Sequence, residues 1–193
     1  VPSAVDQHRA AAEVRPARWP ALAIALGLAA ALLSADQLAK EWALRSLTPG
    51  RSVPFVGELL QFRLLFNSGA AFSLGTGYTW IFSMLAIAAV IGIAAYALPR
   101  LRHPAWAVAI GLLLAGIGGN LVDRIARPPA PLRGEVVDLL QLPNWPIFNL
   151  ADVWICSAAV LIIAMSIFLR RGLDGRLITD DATGSRAEKA ATG

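Results

Sequence analysis

Residues 19–38 read WPALAIALGLAAALLSADQL, and no charged side chain interrupts the block before Asp36. A helix rises about 1.5 Å per residue, so about 20 apolar residues cross the hydrocarbon core of a bilayer. The block has that length. A cleavable leader is the competing reading, with Arg15 and Arg18 as its basic start and Leu33-Ser34-Ala35 as a weak cleavage site. Three more apolar blocks follow, and they favour a membrane span. They lie at 79–98 (TWIFSMLAIAAVIGIAAYAL), 105–122 (AWAVAIGLLLAGIGGNLV) and 151–169 (ADVWICSAAVLIIAMSIFL).

Composition agrees. The chain of 193 residues is 56% hydrophobic and 16% charged, where a soluble domain carries about 25% charge. Its net charge of +4 is read as anchoring at anionic lipid heads; no basic stripe with interleaved aromatics points to nucleic acid. The lone cysteine, Cys156, allows no internal disulfide, and its apolar surroundings read as a small buried hydrophobe. Two histidines, His8 and His103, leave little for a histidine metal site, and no HExxH is present.

Four spans put both tails, 1–18 and 171–193, on one side of a domain covering 19–170. That side holds Arg9, Arg15 and Arg18, the turn residues Arg100 and Arg102, and Arg170, Arg171, Arg176, Arg186 and Lys189. The two long connections, 39–78 and 123–150, are less densely basic, so the tails are expected to be cytoplasmic and the connections outside. Trp19, Trp42, Trp80, Trp106, Trp145 and Trp154 lie near span ends, as an aromatic belt requires. Val53–Phe66 mixes β-branched and aromatic residues in partial alternation, which predicts a small extramembrane sheet. Asn67–Phe72 reads as a tight loop, and Pro128, Pro129 and Pro131 exclude one continuous helix from the last connection.

Charged residues are absent from the span centres and gather at the expected outer ends, where an acid at membrane depth is a functional candidate. Asp36 and Lys40 are an i,i+4 pair, worth a few tenths of a kcal/mol if exposed and more if it frames a site. Asn120, Asp123 and Arg124 face one way; the asparagine and arginine could grip a peptide, while Asp123 could tie down the loop base through Arg124. In 134–152, GEVVDLLQLPNWPIFNLAD, Asp138 and Asp152 each adjoin apolar residues, and Asn149 and Asp152 are also candidates for a helix cap. A carboxylate in apolar surroundings is costly to ionise. Two brought together can share one proton, as an aspartyl hydrolase needs. Gly116, Gly118 and Gly119 allow close approach of a helix or a substrate.

Five blocks in order resemble the lipoprotein signal peptidase (signal peptidase II) family of bacterial membrane aspartyl proteases. They are Asp36-Gln37-x-x-Lys40, Asn67-x-Gly69-Ala70-Ala71-Phe72, Gly116-x-x-Gly119-Asn120-x-x-Asp123-Arg124, Val136-Val137-Asp138 and Phe148-Asn149-x-Ala151-Asp152. The resemblance implies a bundle of four transmembrane helices with a small extramembrane β-sheet, a cradle, on the outer face. It implies Asp138 and Asp152 as a catalytic dyad in preference to Asp123. Asp36, Lys40, Asn67, Gly116, Asn120, Asp123, Arg124, Asn149 and Ala151 would bind substrate or support the site. It further implies no cofactor or metal and a monomer in the bacterial cytoplasmic membrane. The substrate would be a diacylglyceryl-modified prolipoprotein, cut immediately before the lipidated cysteine. The 53–66 strands could cradle the peptide, and 128–148, from its proline content and position alone, could close as a lid. The alternative is a transporter or proton relay using the outer-face acids Asp36, Asp123 and Asp152, which would carry them within broken spans. A non-catalytic scaffold, tolerant of Asp138→Asn, is a further alternative.

Overall fold

The computed structural model describes residues 17–69, 78–168 and 172–175. Four long helices run up and down: α1 (Arg18–Ser46), α2 (Thr79–Arg100, with a π-helical segment at Ile93–Ala97), α3 (Pro104–Ala126) and α4 (Leu150–Phe168). All four are long and apolar enough to cross a membrane. A three-stranded antiparallel sheet, β1 (Ser52–Val56), β2 (Leu60–Asn67) and β3 (Val136–Gln141), sits at one end of the bundle in the order β1-β2-β3. Residues 1–16, 70–77, 169–171 and 176–193 lie outside the described residues, and with them most of both tails and residues 70–72 of the expected tight loop.

The helices pack through small residues. Ala25 meets α3 at Gly111, where an added Cβ would fall 2.9 Å from the Ala25 carbonyl oxygen. On the other side of α3, a Cβ on Gly116 would fall 2.5 Å from both the Ala151 carbonyl oxygen and the Ile155 side chain. In a lipid setting such bundles gain stability from close backbone approach. Large apolar side chains instead point outward: Leu38, Leu85, Val160, Ile163 and Ile167 are all exposed, as a lipid-facing surface requires.

Helix α1 runs well past residue 38, the expected end of its span. Its 29 residues measure about 44 Å, longer than a bilayer core. Residues 39–46 are good helix formers, and the helix stops only ahead of the Pro49-Gly50 turn. The overhang supports the sheet: Ala43 packs with Leu64, Val137 and Leu139 in a buried cluster. Helix α3 likewise continues to Ala126, beyond the expected end at 122.

The 128–148 connection is a structural part of the site. It contains β3, which pairs with β2 through Leu65↔Asp138 and Asn67↔Val136. Ser83 of α2 donates to the Leu132 carbonyl at 2.7 Å, and Leu132 is held at a left-handed φ of 66°. After β3 the chain folds back, and Leu140 and Phe148 exchange backbone hydrogen bonds of 2.8 and 2.9 Å. A mobile lid over this whole span does not fit a segment whose Val136–Leu139 portion is buried in the sheet. At the opposite end of the bundle, Arg102 N–H donates to the Leu173 carbonyl at 2.9 Å, and Leu173 packs on the cluster of Ala21, Ala97 and Leu101. Residues 172–175, assigned by sequence to the 171–193 tail, therefore dock on the α2–α3 turn.

Candidate active site

Alternation along β3 sends Val137 and Leu139 into the cluster beneath the sheet and Asp138 to the other face. Asn67 lies diagonally across from it on β2, and its Nδ2 donates to Asp138 Oδ2 at 2.9 Å. Gly69 N–H donates to Asn67 Oδ1 at 2.8 Å, which fixes the amide's orientation. The Leu140–Phe148 bridge then delivers Asn149 beside the strand. Asn149 Nδ2 donates to Asp138 Oδ1 at 2.7 Å.

Asn149 also begins α4 in the way a helix cap does. Its Oδ1 accepts from Asp152 N–H, and its own N–H donates to Asp152 Oδ2, both at 3.1 Å. The helix cap for which Asn149 and Asp152 are candidates is thus present, in reciprocal form, and it does more than cap. The one asparagine holds Asp138 with its amide nitrogen and Asp152 with its amide oxygen and backbone. Asn120 of α3 completes the seat, donating to Asp152 Oδ1 at 2.9 Å and accepting from Asn149 Nδ2 at 3.1 Å.

The two aspartates differ in surroundings. Asp138 is 1% exposed; Asp152 is half-buried. Burial pushes the Asp138 carboxyl up to about 6; its amide partners Asn67 and Asn149 oppose the shift, the Asp152 charge adds to it and Lys40 opposes it. From Asp152 a groove of about 630 Å³ runs along one face of α4, past Val153, Cys156, Ser157 and Val160, with Trp145 and Phe148 as its wall. Cys156 is exposed there, not buried as expected, because an apolar run in a membrane helix marks lipid contact as readily as a core.

Beneath the pair lies a buried ion cluster. Lys40 Nζ sits 2.9 Å from Asp36 Oδ2 and 2.7 Å from Asp123 Oδ2, with all three side chains at 0% exposure. Asp36 and Lys40 are therefore no exposed i,i+4 pair. Asp123 pairs with Lys40 and, at 2.7 Å, with Arg127 Nε, rather than with Arg124. Neighbours at i,i+1 point to different sides of a helix. Arg124 turns instead over the Phe82 ring at 5.5 Å, within the electrostatic reach of Asp138, Asp123 and Asp152, and its buried Nη1 has no partner. Gly119 leaves room for the cluster, since a Cβ there would fall 2.5 Å from Asp36 Oδ2. Ala151, fully buried, donates its N–H to Asp36 Oδ1 at 3.0 Å. Sequence reasoning missed Gln37 and Arg127 as members. Gln37 Nε2 reaches Asp36 Oδ2 and the Gly119 carbonyl. The i,i+4 spacing from Asp123 was the available signal for Arg127. Among the described residues, no group of three or more His, Cys, Asp and Glu gathers as a metal site.

Four apolar helices with two aspartates meeting across one asparagine define a membrane protein built around a carboxylate pair. Residues 28–168 match the family described as signal peptidase (SPase) II, and the chain belongs to that family of aspartic-type membrane proteases. It is 46% identical over 147 residues to the lipoprotein signal peptidase of Mycobacterium avium, covering 76% of this chain and 80% of that one. Over 170 residues it is 44% identical to the lipoprotein signal peptidase of Mycolicibacterium smegmatis, covering 88% and 71%. Two solved structures, each described as a bacterial membrane enzyme, match with TM-scores of 0.66 and 0.67 at 26% and 28% identity. The first match covers 76% of this chain and 88% of its counterpart; the second covers 75% and 92%.

Proposed function

We propose that this chain removes signal peptides from diacylglyceryl-modified prolipoproteins, cutting immediately before the lipidated cysteine, with Asp138 and Asp152 as the catalytic pair. The observation that carries the reading is Asn149, whose Nδ2 donates to Asp138 Oδ1 and whose backbone N–H donates to Asp152 Oδ2. Two acids so linked share one proton more readily than they hold two charges. Asp138, the more deeply buried, is the natural holder of that proton; it would polarise the scissile carbonyl and later supply the leaving amine. Asp152, ionised and opening on the groove, would take a proton from the attacking water. Asn120 Nδ2 and the Asn149 backbone N–H donate to its two oxygens and hold it in place. Arg124, with a buried donor to spare, would hold a peptide carbonyl. The α4 groove would receive apolar substrate. Both tails are assigned to the cytoplasm and the sheet end to the outer face, on the distribution of Lys and Arg; the enzyme would act as a monomer.

The test is cleavage of a diacylglyceryl-modified prolipoprotein by the intact protein in lipid, beside Asp138→Asn and Asp152→Asn. Each substitution is expected to lower kcat by about 10³-fold or more, with a chelator leaving the parent rate unchanged. Activity retained in both variants would move the chemistry to another acid, Asp123 first. With burial pushing the Asp138 carboxyl up to about 6, the proton it would hold is lost as pH rises past that value. An apolar bound substrate raises that value further, so the alkaline limb is expected at higher pH in kcat than in kcat/KM.

A further inference from the structure

The ion cluster has a symmetry that its charges alone do not require. Asp36 accepts from Ala151 N–H at 3.0 Å, and Ala151 immediately precedes Asp152. Asp123 accepts from Val137 N–H at 3.2 Å, and Val137 immediately precedes Asp138. Each proposed catalytic aspartate is thus held by a second aspartate that grips the backbone one residue before it. Those two grips come from different helices, α1 and α3, and they act on a helix start and a strand that the Leu140–Phe148 backbone pair and the Asn149–Asp138 hydrogen bond also tie together. They meet at one atom, Lys40 Nζ. The same ammonium donates to Asn120 Oδ1 at 3.1 Å. With its oxygen taken by Lys40 and Asn149, Asn120 can present only its nitrogen to Asp152.

We propose that Lys40 is a positioning residue for the peptidase reaction: its ammonium locks the Asp36 and Asp123 grips and the Asn120 amide, and so sets how Asp138 and Asp152 face each other. The inference rests on the assignment of those two aspartates as the reacting pair. An ammonium has three protons, and here its nearest partners are Asp36, Asp123 and Asn120, with the Gly119 carbonyl farther off at 3.5 Å. Charge balance is a separate matter. Asp36 and Asp123 are offset by Lys40 and Arg127, so the cluster is neutral. Losing Asp36 and Lys40 charges together leaves Asp123 and Arg127, also neutral. Positioning and charge balance can therefore be separated by mutation.

The experiment compares Lys40→Met, Asp36→Asn and the double variant Asp36→Asn/Lys40→Met in the full chain, reconstituted in lipid, with Asp138→Asn alongside. Thermal unfolding and cleavage of a diacylglyceryl-modified prolipoprotein are read for each. Lys40→Met is expected to unfold at lower temperature, having left two buried carboxylates against one arginine. The double variant is expected to regain the melting temperature yet keep a kcat about 100-fold below the parent, with KM within about threefold, because displacing reacting groups by about 1 Å is enough for that loss. A double variant that regains kcat to within about threefold would reduce Lys40 to a counter-charge and overturn the proposal. Should the double variant not fold, Asp36→Asn decides. An asparagine still accepts from Ala151 N–H, and Lys40 keeps Asp123 and Asn120, so kcat is expected within about tenfold of the parent. A folded Asp36→Asn protein with about 100-fold lower kcat would show that net charge governs the site, and would overturn it too. Parent-like cleavage by Asp138→Asn would remove the dyad itself, a failure distinct from an active double variant beside an inactive Asp138→Asn.

Discussion

Helix α1 carries two ion pairs of the same spacing and nearly the same length. Asp36 and Lys40 meet at 2.9 Å, and Glu41 and Arg45 meet at 2.8 Å, both i,i+4. The first pair has 0% exposure on both side chains; the second has 48% for Glu41 and 76% for Arg45. Little more than one helical turn separates a pair buried against two other helices from a pair on the surface. The difference lies in what packs against each. Asp36 and Lys40 face α3 at Gly119 and the start of α4 at Ala151, so water is excluded and each charge must find partners within the protein. Glu41 and Arg45 have solvent as an alternative partner, and solvent makes a contact of that length worth little.

The largest test of that contrast is Asp36→Ala. Removing one member of a buried pair leaves Lys40 short of a counter-charge and Ala151 N–H short of an acceptor. The expected loss is about 3–5 kcal/mol, read as a fall in the thermal midpoint in detergent. A loss no greater than that of a surface substitution would mean that water or a neighbouring group replaces Asp36, and the contrast would fail.

Gly119→Ala sharpens the comparison without touching a charge. The new methyl would fall 2.5 Å from Asp36 Oδ2 and 3.1 Å from the Ala151 Cβ. Either the carboxylate or α4 must shift, at a cost of about 2 kcal/mol. Activity is expected to fall more steeply than stability, because the displaced groups adjoin Asp152. Equal stability and activity to the parent would show slack in the cluster.

These contrasts also mark what the sequence could disclose. The four spans were legible because 18-residue apolar windows have few other uses, and the five motif blocks placed Asp138, Asp152, Asn67, Asn120 and Asn149 in one site. The strand pair at 52–67 was legible from its β-branched and aromatic alternation. β3 was not, because VVDLL has only one polar residue among four aliphatics and a proline-rich approach, and its pairing with β2 spans some 70 residues of chain. The extents of α1 and α3 beyond the apolar windows were also missed. Hydropathy reports where lipid ends, whereas these helices end where Pro49 and Pro128 approach. The identical spacing of the two α1 pairs is the plainest limit: i,i+4 gives the contact and says nothing of the solvent around it.

Asp138 supplies a third case, a buried carboxylate with amides rather than a cation in direct contact. Its native value near 6 lies above the ordinary 3.8, so between those values the unfolded chain has already lost the proton that the folded chain retains. Stability therefore falls as pH rises across that window and stays reduced above it. Asp138→Asn removes the penalty at high pH, worth up to about 3 kcal/mol, but forfeits one of the two amide hydrogen bonds. A net gain of about 1 kcal/mol is expected at pH 8, and none at pH 4, where the parent carboxyl is protonated in the fold. Melting curves at the two pH values check it. A variant less stable than the parent at pH 8 would show that Lys40 and Arg124 already satisfy the charge.

The smallest effect is expected from Glu41→Ala. Its carboxylate meets Arg45 through both Nε and Nη2 at 2.8 Å, as close as any contact in the buried cluster apart from those of Asp123. Were distance the measure of an ion pair, this substitution would rank with Asp36→Ala. Solvent dielectric and the freedom of two long side chains reduce the pair to about 0.5 kcal/mol or less, and alanine's higher helix propensity recovers part of that. The remaining difference should vanish in 1 M salt, where screening extends to about 3 Å, whereas the Asp36→Ala deficit should persist because ions do not enter the cluster. Melting curves of the two variants at low and high salt therefore separate the pairs by their solvent and not by their geometry. A salt-insensitive loss of several kcal/mol at Glu41 would mean that this face of α1 is covered in the working protein, by lipid heads or by another part of the chain.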